Sequence, residues 1–299
     1  MKKTLLKMLL LICTAPVLKA QQLPQYTQYM INDYAINPAV AGTKEYAEAK
    51  SGNRYQWVGI TDAPRTYILS VNGPYKSKNV GLGGSVFTDI TGPTRRTGLS
   101  LSYAYRIKIT EGMKLSMALS AGLLQYAVDG SKITLLEQGD NALTNNLESV
   151  IVPDFGFGCY LYTSKYYFGF SAPQLIASKI KVFDYTRAAL STLATHFYAM
   201  GGYKYNVDDN FKVEPSFLIK FVNPAPIKLD VGVRVIYQDK IWLGGYFRTH
   251  DAYSAMIGYD YQQNLTFAYS YDFITTPIKK YSSGTHEVMI GIKFGKVKK

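Results

Sequence analysis

The chain has 299 residues, of which 47% are hydrophobic and 18% are charged, and its formal net charge is +12. Two cysteines are too few for a disulfide scaffold or a thiolate-rich metal site, and the apolar content is too high for a disordered chain. The 26 tyrosines outnumber the 14 phenylalanines. Aromatic belts at a membrane surface would explain this excess, and so would a compositional bias of the genome.

The start of the chain has the layout of a secretory signal peptide. Two lysines precede an apolar stretch over residues 5–17, and Ala20 precedes two glutamines. We therefore expect residues 1–20 to be a signal peptide that is cleaved after Ala20. A lipoprotein signal around Cys13 is the alternative, but Cys13 lies early and follows a bulky isoleucine. Removal of four lysines lowers the net charge to +8 and leaves Cys159 as the single thiol.

Residues 21–45 form a segment without regular alternation. The segment is polar and aromatic, and it contains Pro24 and Pro38. We interpret residues 21–45 as an N-terminal segment that plugs the lumen of the following domain or packs at its periplasmic rim. A flexible leader is the alternative, because chain termini fray unless other residues hold them.

From residue 46 onward, apolar and polar residues alternate in stretches of about ten. No run of 18 apolar residues follows Ala20, which excludes a transmembrane helix. In residues 97–109, for example, leucines and tyrosines occupy one face, and glycine, serines and basic residues occupy the other. Such alternation predicts β-strands. Long strands with a small-residue polar face favour an outer-membrane β-barrel, and a secreted soluble sandwich is the competing interpretation.

The predicted fold is all-β, a transmembrane barrel of about 14 antiparallel strands over residues 46–299. The predicted strands are 46–57, 65–73, 80–90, 96–109, 113–128, 153–163, 166–172, 194–206, 211–222, 227–238, 241–249, 252–262, 265–274 and 285–295. All connections longer than six residues fall in one alternating set, including 129–152 and 173–193. Long extracellular loops and short periplasmic turns are typical of such barrels, so we expect a periplasmic N-terminus.

Charged residues within the predicted strands are expected to face the lumen. An Arg or Lys that faces lipid at mid-membrane costs about 2–4 kcal/mol. These side chains would pair to hold a plug, or they would line a channel. The candidates are Arg106, Lys108, Lys114, Asp230, Arg234, Arg248, Asp260 and Asp272.

Short motifs along the mature chain carry a family likeness. They include Gln28-Tyr29, Asn37-Pro38 with Gly42, Gln56-Trp57, Pro64 and His286-Glu287. Together they resemble the PorP/SprF family, outer-membrane proteins of the type IX secretion system of Bacteroidetes. Thr285 stands where the family usually has Ser, a mild departure.

The resemblance implies a 14-stranded barrel similar to the long-chain fatty-acid transporter type. It also implies a role in the secretion or cell-surface attachment of a partner protein, gliding adhesins included. The implied partners are a secreted substrate with a C-terminal sorting domain, other type IX secretion components and outer-membrane lipid.

The sequence offers little catalytic chemistry. The histidines His196, His250 and His286 lack zinc-site spacing, and no Gly-x-Ser-x-Gly elbow is present. We expect no enzyme activity, metal, cofactor or nucleic-acid partner. His286 and Glu287 are expected to form a polar pair at the rim where the barrel closes, hydrogen-bonded to the first strand.

Two functions fit these features. The first is a non-enzymatic receptor or anchor that docks a secreted substrate through the connections 129–152 and 173–193, because loops on a rigid scaffold commonly carry binding. The alternative is an outer-membrane transporter or porin for small molecules, including hydrophobic ones, which the implied likeness to fatty-acid transporters favours.

Overall fold

The computed structural model describes residues 23–75, 79–133, 147–176, 179–180 and 191–295. The expected signal peptide lies outside the described residues, as do parts of the two longest connections. Fourteen long strands follow in chain order: β1 Ala47–Tyr55, β2 Arg65–Tyr75, β3 Val80–Thr91, β4 Thr94–Lys108, β5 Lys114–Asp129, β6 Leu147–Tyr162, β7 Tyr166–Ala172, β8 Phe197–Tyr203, β9 Phe211–Phe221, β10 Lys228–Tyr237, β11 Ile241–Arg248, β12 Ala252–Tyr261, β13 Leu265–Ile274 and β14 Thr285–Phe294.

These strands form one closed antiparallel barrel. Each strand pairs with its sequence neighbour, and β1 pairs with β14, so that Ala47 stands opposite Phe294 and Tyr55 opposite His286. The pairing of β8 with both β7 and β9 completes the ring. Closure leaves no unpaired strand edge among the long strands, which is the condition for a sheet to cross a lipid bilayer.

The predicted 14-stranded barrel is confirmed, with one notable difference at β6. The predicted strand began at residue 153, whereas β6 begins at Leu147 and stays paired with β5 throughout. Pro153 lies inside the strand, opposite Leu123. Proline is usually confined to strand starts and edges because it lacks an N–H donor, so its position inside β6 is unusual.

The two faces of the barrel wall have opposite character. On β4, Leu101 is 64% exposed on the outside, whereas Ser102, Ala104 and Arg106 are buried on the inside. An apolar exterior around a polar interior is the arrangement of a membrane-spanning barrel. Among the described residues, no helix is long and apolar enough to cross a membrane.

The connections define two different ends. We call one the short-turn end; its connections are 76–79, 109–113, 163–165, 204–210, 238–240 and 262–264. We call the other the long-connection end; its connections are 56–64, 92–93, 130–146, 173–196, 222–227, 249–251 and 275–284. β1 starts at the short-turn end.

The connection after β7 packs against the inner wall near the long-connection end. Lys179–Ile180 pairs with Ser191–Thr192 in a short antiparallel ribbon. Ile180 and Leu193 are buried against Leu124 of β5 and Val152 of β6. Burial of these apolar side chains holds the ribbon over this part of the wall.

Candidate functional site

Residues 23–45, which we call the luminal segment, run through the barrel from one end to the other. At the long-connection end, the backbone N–H of Leu23 donates to Nε2 of His196, at 3.4 Å. Towards the short-turn end, Ala41 packs so closely on Gly81 that a Cβ at Gly81 would lie 2.0 Å from the Ala41 carbonyl oxygen. The segment therefore occupies the lumen along its length.

Two short 3-10 turns shape the middle of the luminal segment, over Asp33–Ala35 and Pro38–Val40. The side-chain oxygen of Asn37 accepts from Ala39 N at 2.9 Å and so caps the second turn. Proline suits the first position of such a turn, where its missing N–H costs nothing. Asn37-Pro38 is therefore a local start signal for this turn.

The same Asn37 side chain attaches the turn to the barrel wall. Its amide donates to the carbonyl oxygens of Cys159 on β6, at 2.9 Å, and Phe170 on β7, at 3.2 Å. Gly158 provides the space, because a Cβ there would lie 2.2 Å from Asn37 Oδ1. The family-like motif is thus a structural contact between the luminal segment and two strands.

A buried cluster of charges holds the other part of the luminal segment. Arg54 of β1 forms ion pairs with Asp272 of β13, at 2.7 Å, and with Glu287 of β14, at 3.1 Å. Arg248 of β11 pairs with Asp272 at 3.4 Å and with Asp230 of β10 at 3.2 Å. All five side chains are at most 3% exposed. Charges this deeply buried require close partners.

The luminal segment completes this charge cluster. The carboxylate of Glu287 accepts from the backbone N–H groups of Thr27, at 2.8 Å, and Gln28, at 3.1 Å. The Thr27 hydroxyl lies 2.7 Å from Nη1 of Arg54 and 2.9 Å from Oδ1 of Asp272. Buried backbone donors need acceptors, and the Glu287 carboxylate accepts from two N–H groups of the segment. The same two hydrogen bonds give the buried carboxylate two of its donors.

Two tyrosines of the segment reach other parts of the wall. The ring of Tyr29 packs on Tyr246 of β11, with centroids 5.3 Å apart. The hydroxyl of Tyr34 lies 2.8 Å from the Ser102 hydroxyl of β4. The segment is thus bound to strands all around the barrel.

Near the short-turn end, Lys44 joins the segment to the start of β1. Its ammonium group lies 3.2 Å from Asp33 and 2.8 Å from Glu48, which also pairs with Lys50 at 2.8 Å. The two carboxylates give the partly exposed Lys44 ammonium group the close partners that a charge inside the barrel requires.

An open cavity of about 1000 Å³ occupies the short-turn half of the lumen. Met30 and Ile31 of the luminal segment form part of its lining, and both side chains are buried. On the barrel wall, Arg234 pairs with Glu214 and lies over the ring of Trp242, 5.4 Å from its centroid. The cavity is therefore lined by paired charges and aromatic rings.

The predicted lumen-facing charges fall into three groups. Asp230, Arg248 and Asp272 meet in the charge cluster. Arg106, Arg234 and Asp260 lie on the same inward face but apart from the cluster, and Asp260 lies 3.5 Å from Lys293. Lys108 and Lys114 are exposed at the short-turn end, where Lys108 pairs with Glu111 at 2.5 Å.

Several inward charges were absent from the set that the sequence predicted to face the lumen. They include Glu48, Lys50 and Arg54 on β1, Asp89 on β3 and Glu214 on β9, all with side chains at most 7% exposed. A usable signal was present, because the three on β1 occupy even positions and therefore share one face of the strand.

The expected His286–Glu287 pair does not form. Neighbouring residues of a strand point to opposite faces. Glu287 faces the lumen and reaches Arg54 of β1, whereas His286 faces outward and its Nδ1 lies 2.7 Å from the Tyr269 hydroxyl. The expected contact with the first strand is therefore made by Glu287 alone.

The remaining motif residues lie at the β1–β2 connection beside the β1–β14 seam. The N–H of Gln56 donates to the Pro64 carbonyl at 2.9 Å, and that of Trp57 donates to Thr285 Oγ1 at 3.1 Å. Gly42 adopts a left-handed φ of +70° where the segment passes Gly81. Within the described residues, no group of His, Cys, Asp and Glu side chains could hold a metal ion.

Comparisons with solved structures agree on the fold. The toluene transporter TbuX of Ralstonia pickettii is similar with a TM-score of 0.50 at 12% identity, over 86% of this chain and 91% of that one. A FadL homologue of Pseudomonas aeruginosa gives 0.45 at 11% identity, over 92% and 95%. At such identities the likeness concerns the fold alone. No curated protein matches the chain.

The comparison with protein families is more specific. The family described as type IX secretion system membrane protein PorP/SprF matches residues 18–292. This range includes the luminal segment and nearly the whole barrel. This chain therefore belongs to the PorP/SprF family of type IX secretion outer-membrane barrels.

Proposed function

We propose that this protein is a non-enzymatic, non-conducting receptor that docks a secreted substrate of the type IX secretion system at its long-connection end. The observation that carries the proposal is the luminal segment, whose backbone and side chains are bonded to strands on all sides of the lumen. A barrel built for passage needs an open path through both halves, whereas the luminal segment crosses this lumen from Leu23 to Lys44 and the open cavity lies in the short-turn half.

The attachment of the segment argues against easy release. Withdrawal would remove the segment's N–H donors from the buried Glu287 and leave the side chain of Asn37 without its strand carbonyls. Each buried polar group left without a partner costs about 1–3 kcal/mol. The barrel then serves as a rigid support, and binding falls to the connections that it presents.

The docking surface that we propose comprises the connections 130–146 and 173–196, which the sequence placed at 129–152 and 173–193. The proposed partner is a substrate with a C-terminal sorting domain. Membership of the PorP/SprF family supports a partner from the type IX secretion system, and the sorting domain of that partner is part of our proposal. The described part of the second connection packs on the wall through Ile180 and Leu193. This contact fixes the described part of the connection against the barrel wall.

Deletion of residues 134–146 tests the proposal without cutting into β6, which begins at Leu147. The purified variant should still fold as a barrel but lose retention of the sorting-domain partner in outer-membrane pull-downs. Lys279→Ala with Lys280→Ala, at the same end of the barrel, is the matched control and should keep the partner. Unchanged retention of the partner by the deletion variant would show that this connection does not bind it.

A transporter for small molecules is the second candidate. The cavity of about 1000 Å³ at the short-turn end favours it, and so does the fold likeness to a toluene transporter. Planar bilayers separate the two functions, because a receptor with an occupied lumen should be electrically silent. Steady conductance or solute flux through the wild-type protein would favour the transporter.

A further inference from the structure

The luminal segment begins and ends at opposite ends of the barrel. Leu23 and Pro24 lie beside Phe87 and His196, at the long-connection end of β3 and of β8. Gln25 lies 3.2 Å from Asp251 and 3.0 Å from Lys228 once its amide is oriented to satisfy both. Asp251 and Lys228 also lie at the long-connection end. Contacts with several separate strands therefore place the start of the luminal segment there.

The chain reaches the short-turn end before β1 starts. Gly42 packs against Gly73 and Gly81, which lie at the short-turn ends of β2 and β3. Lys44 pairs with Glu48, the second residue of β1. The segment between Leu23 and Lys44 therefore passes through the whole lumen. Along the chain it runs from the long-connection end to the short-turn end.

We infer that the luminal segment starts at the extracellular mouth of the barrel, with Leu23 on the outer side, although the first strand starts on the periplasmic side. In outer-membrane barrels the long connections face outward and the short turns face the periplasm. Because Leu23 lies at the long-connection end, the start of the luminal segment is displayed at the extracellular mouth.

This inference replaces the expectation of a periplasmic N-terminus. The contacts of Thr27 with Glu287 and Arg54 hold the start of the luminal segment near the extracellular mouth.

Cysteine labelling of intact cells tests the location of the start of the luminal segment. In a Cys159→Ser background the mature chain carries no other thiol, so single-cysteine variants report one position each. Leu23→Cys is the test variant. Tyr281→Cys marks the long-connection end, where that residue is 75% exposed, and Gln263→Cys marks a short turn between β12 and β13. The probe is a membrane-impermeant maleimide.

Leu23→Cys and Tyr281→Cys should react on intact cells, and Gln263→Cys only after the outer membrane is permeabilised. A Leu23→Cys variant that reacts only after permeabilisation overturns the inference. So does surface labelling of Gln263→Cys with a protected Tyr281→Cys, because the barrel would then be inverted.

An epitope inserted between residues 22 and 23 provides an independent readout. An antibody should detect it on intact cells, and heat-modifiable migration on gels should show that the barrel is folded. Detection only after permeabilisation would contradict the inference by a second route. Neither assay depends on substrate docking, so they can fail while the receptor proposal stands.

Discussion

Arg54 of the first strand and Glu287 of the last strand stand directly opposite each other across the seam that closes the barrel. Their side chains meet inside the lumen at 3.1 Å, and both are almost fully buried. The same carboxylate binds the backbone of the luminal segment at Thr27 and Gln28. Glu287 therefore both pairs with Arg54 across the seam and binds the segment that fills this part of the lumen.

Glu287→Gln should weaken both the seam and the luminal segment. The substitution removes one charge from a buried cluster and leaves Arg54 with Asp272 as its remaining ion-pair partner. Breaking a buried ion pair typically costs about 3–5 kcal/mol. We expect a lower unfolding midpoint in heat-modifiability gels. His286→Ala, next to Glu287 but facing outward beside Tyr269, is the matched control and should change the midpoint far less.

The barrel could be predicted from the sequence because each strand carries its own evidence. In β4, residues such as Leu101 and Ser102 alternate between lipid and lumen, and this period of two is visible without knowledge of any partner strand. Connection lengths then separated the two ends. The family likeness rested on motifs such as Asn37-Pro38, and the match over residues 18–292 confirmed it.

The luminal segment could not be placed in the same way. Its residues have no repeating period, and its bonds join positions far apart in the chain, as in Thr27 with Glu287, 260 residues away. For the buried charges of β1, the shared strand face is visible in the sequence, but the partners of Arg54 are not, because Asp272 and Glu287 lie on strands that follow much later. Tertiary closure, rather than local pattern, creates this site.

Deletion of residues 23–42 should convert a silent barrel into a conducting one. The barrel wall keeps its own ladder of strand pairs, including β1 with β14, so we expect the variant to insert and to migrate as a folded barrel. In planar bilayers it should show steady openings that the wild-type protein lacks. A deletion variant that stays silent would mean that the connection over residues 173–196 blocks the lumen instead.

Gly81→Ala should displace the luminal segment by steric conflict alone. A Cβ at this position would lie 2.0 Å from the Ala41 carbonyl oxygen, in backbone that cannot move like a side chain. Overpacking of this kind typically costs about 1–3 kcal/mol. Gly245→Ala is the matched control, because its nearest neighbour would be 3.5 Å away. Gly81→Ala should lower the unfolding midpoint and raise conductance, whereas the control should leave both unchanged.

Leu101→Arg tests whether the outer face of β4 contacts lipid. Leu101 is 64% exposed in the isolated barrel, and its register partners Gly84 and Ala121 lie well inside β3 and β5. An arginine on the lipid side near mid-membrane costs about 2–4 kcal/mol, so we expect the midpoint of urea unfolding in lipid vesicles to fall accordingly. Tyr281→Arg changes an even more exposed residue, but one in a connection outside the strands, and it should have little effect. Equal tolerance of the two substitutions would show that this face of β4 contacts water rather than lipid, because a water-facing arginine carries no such cost.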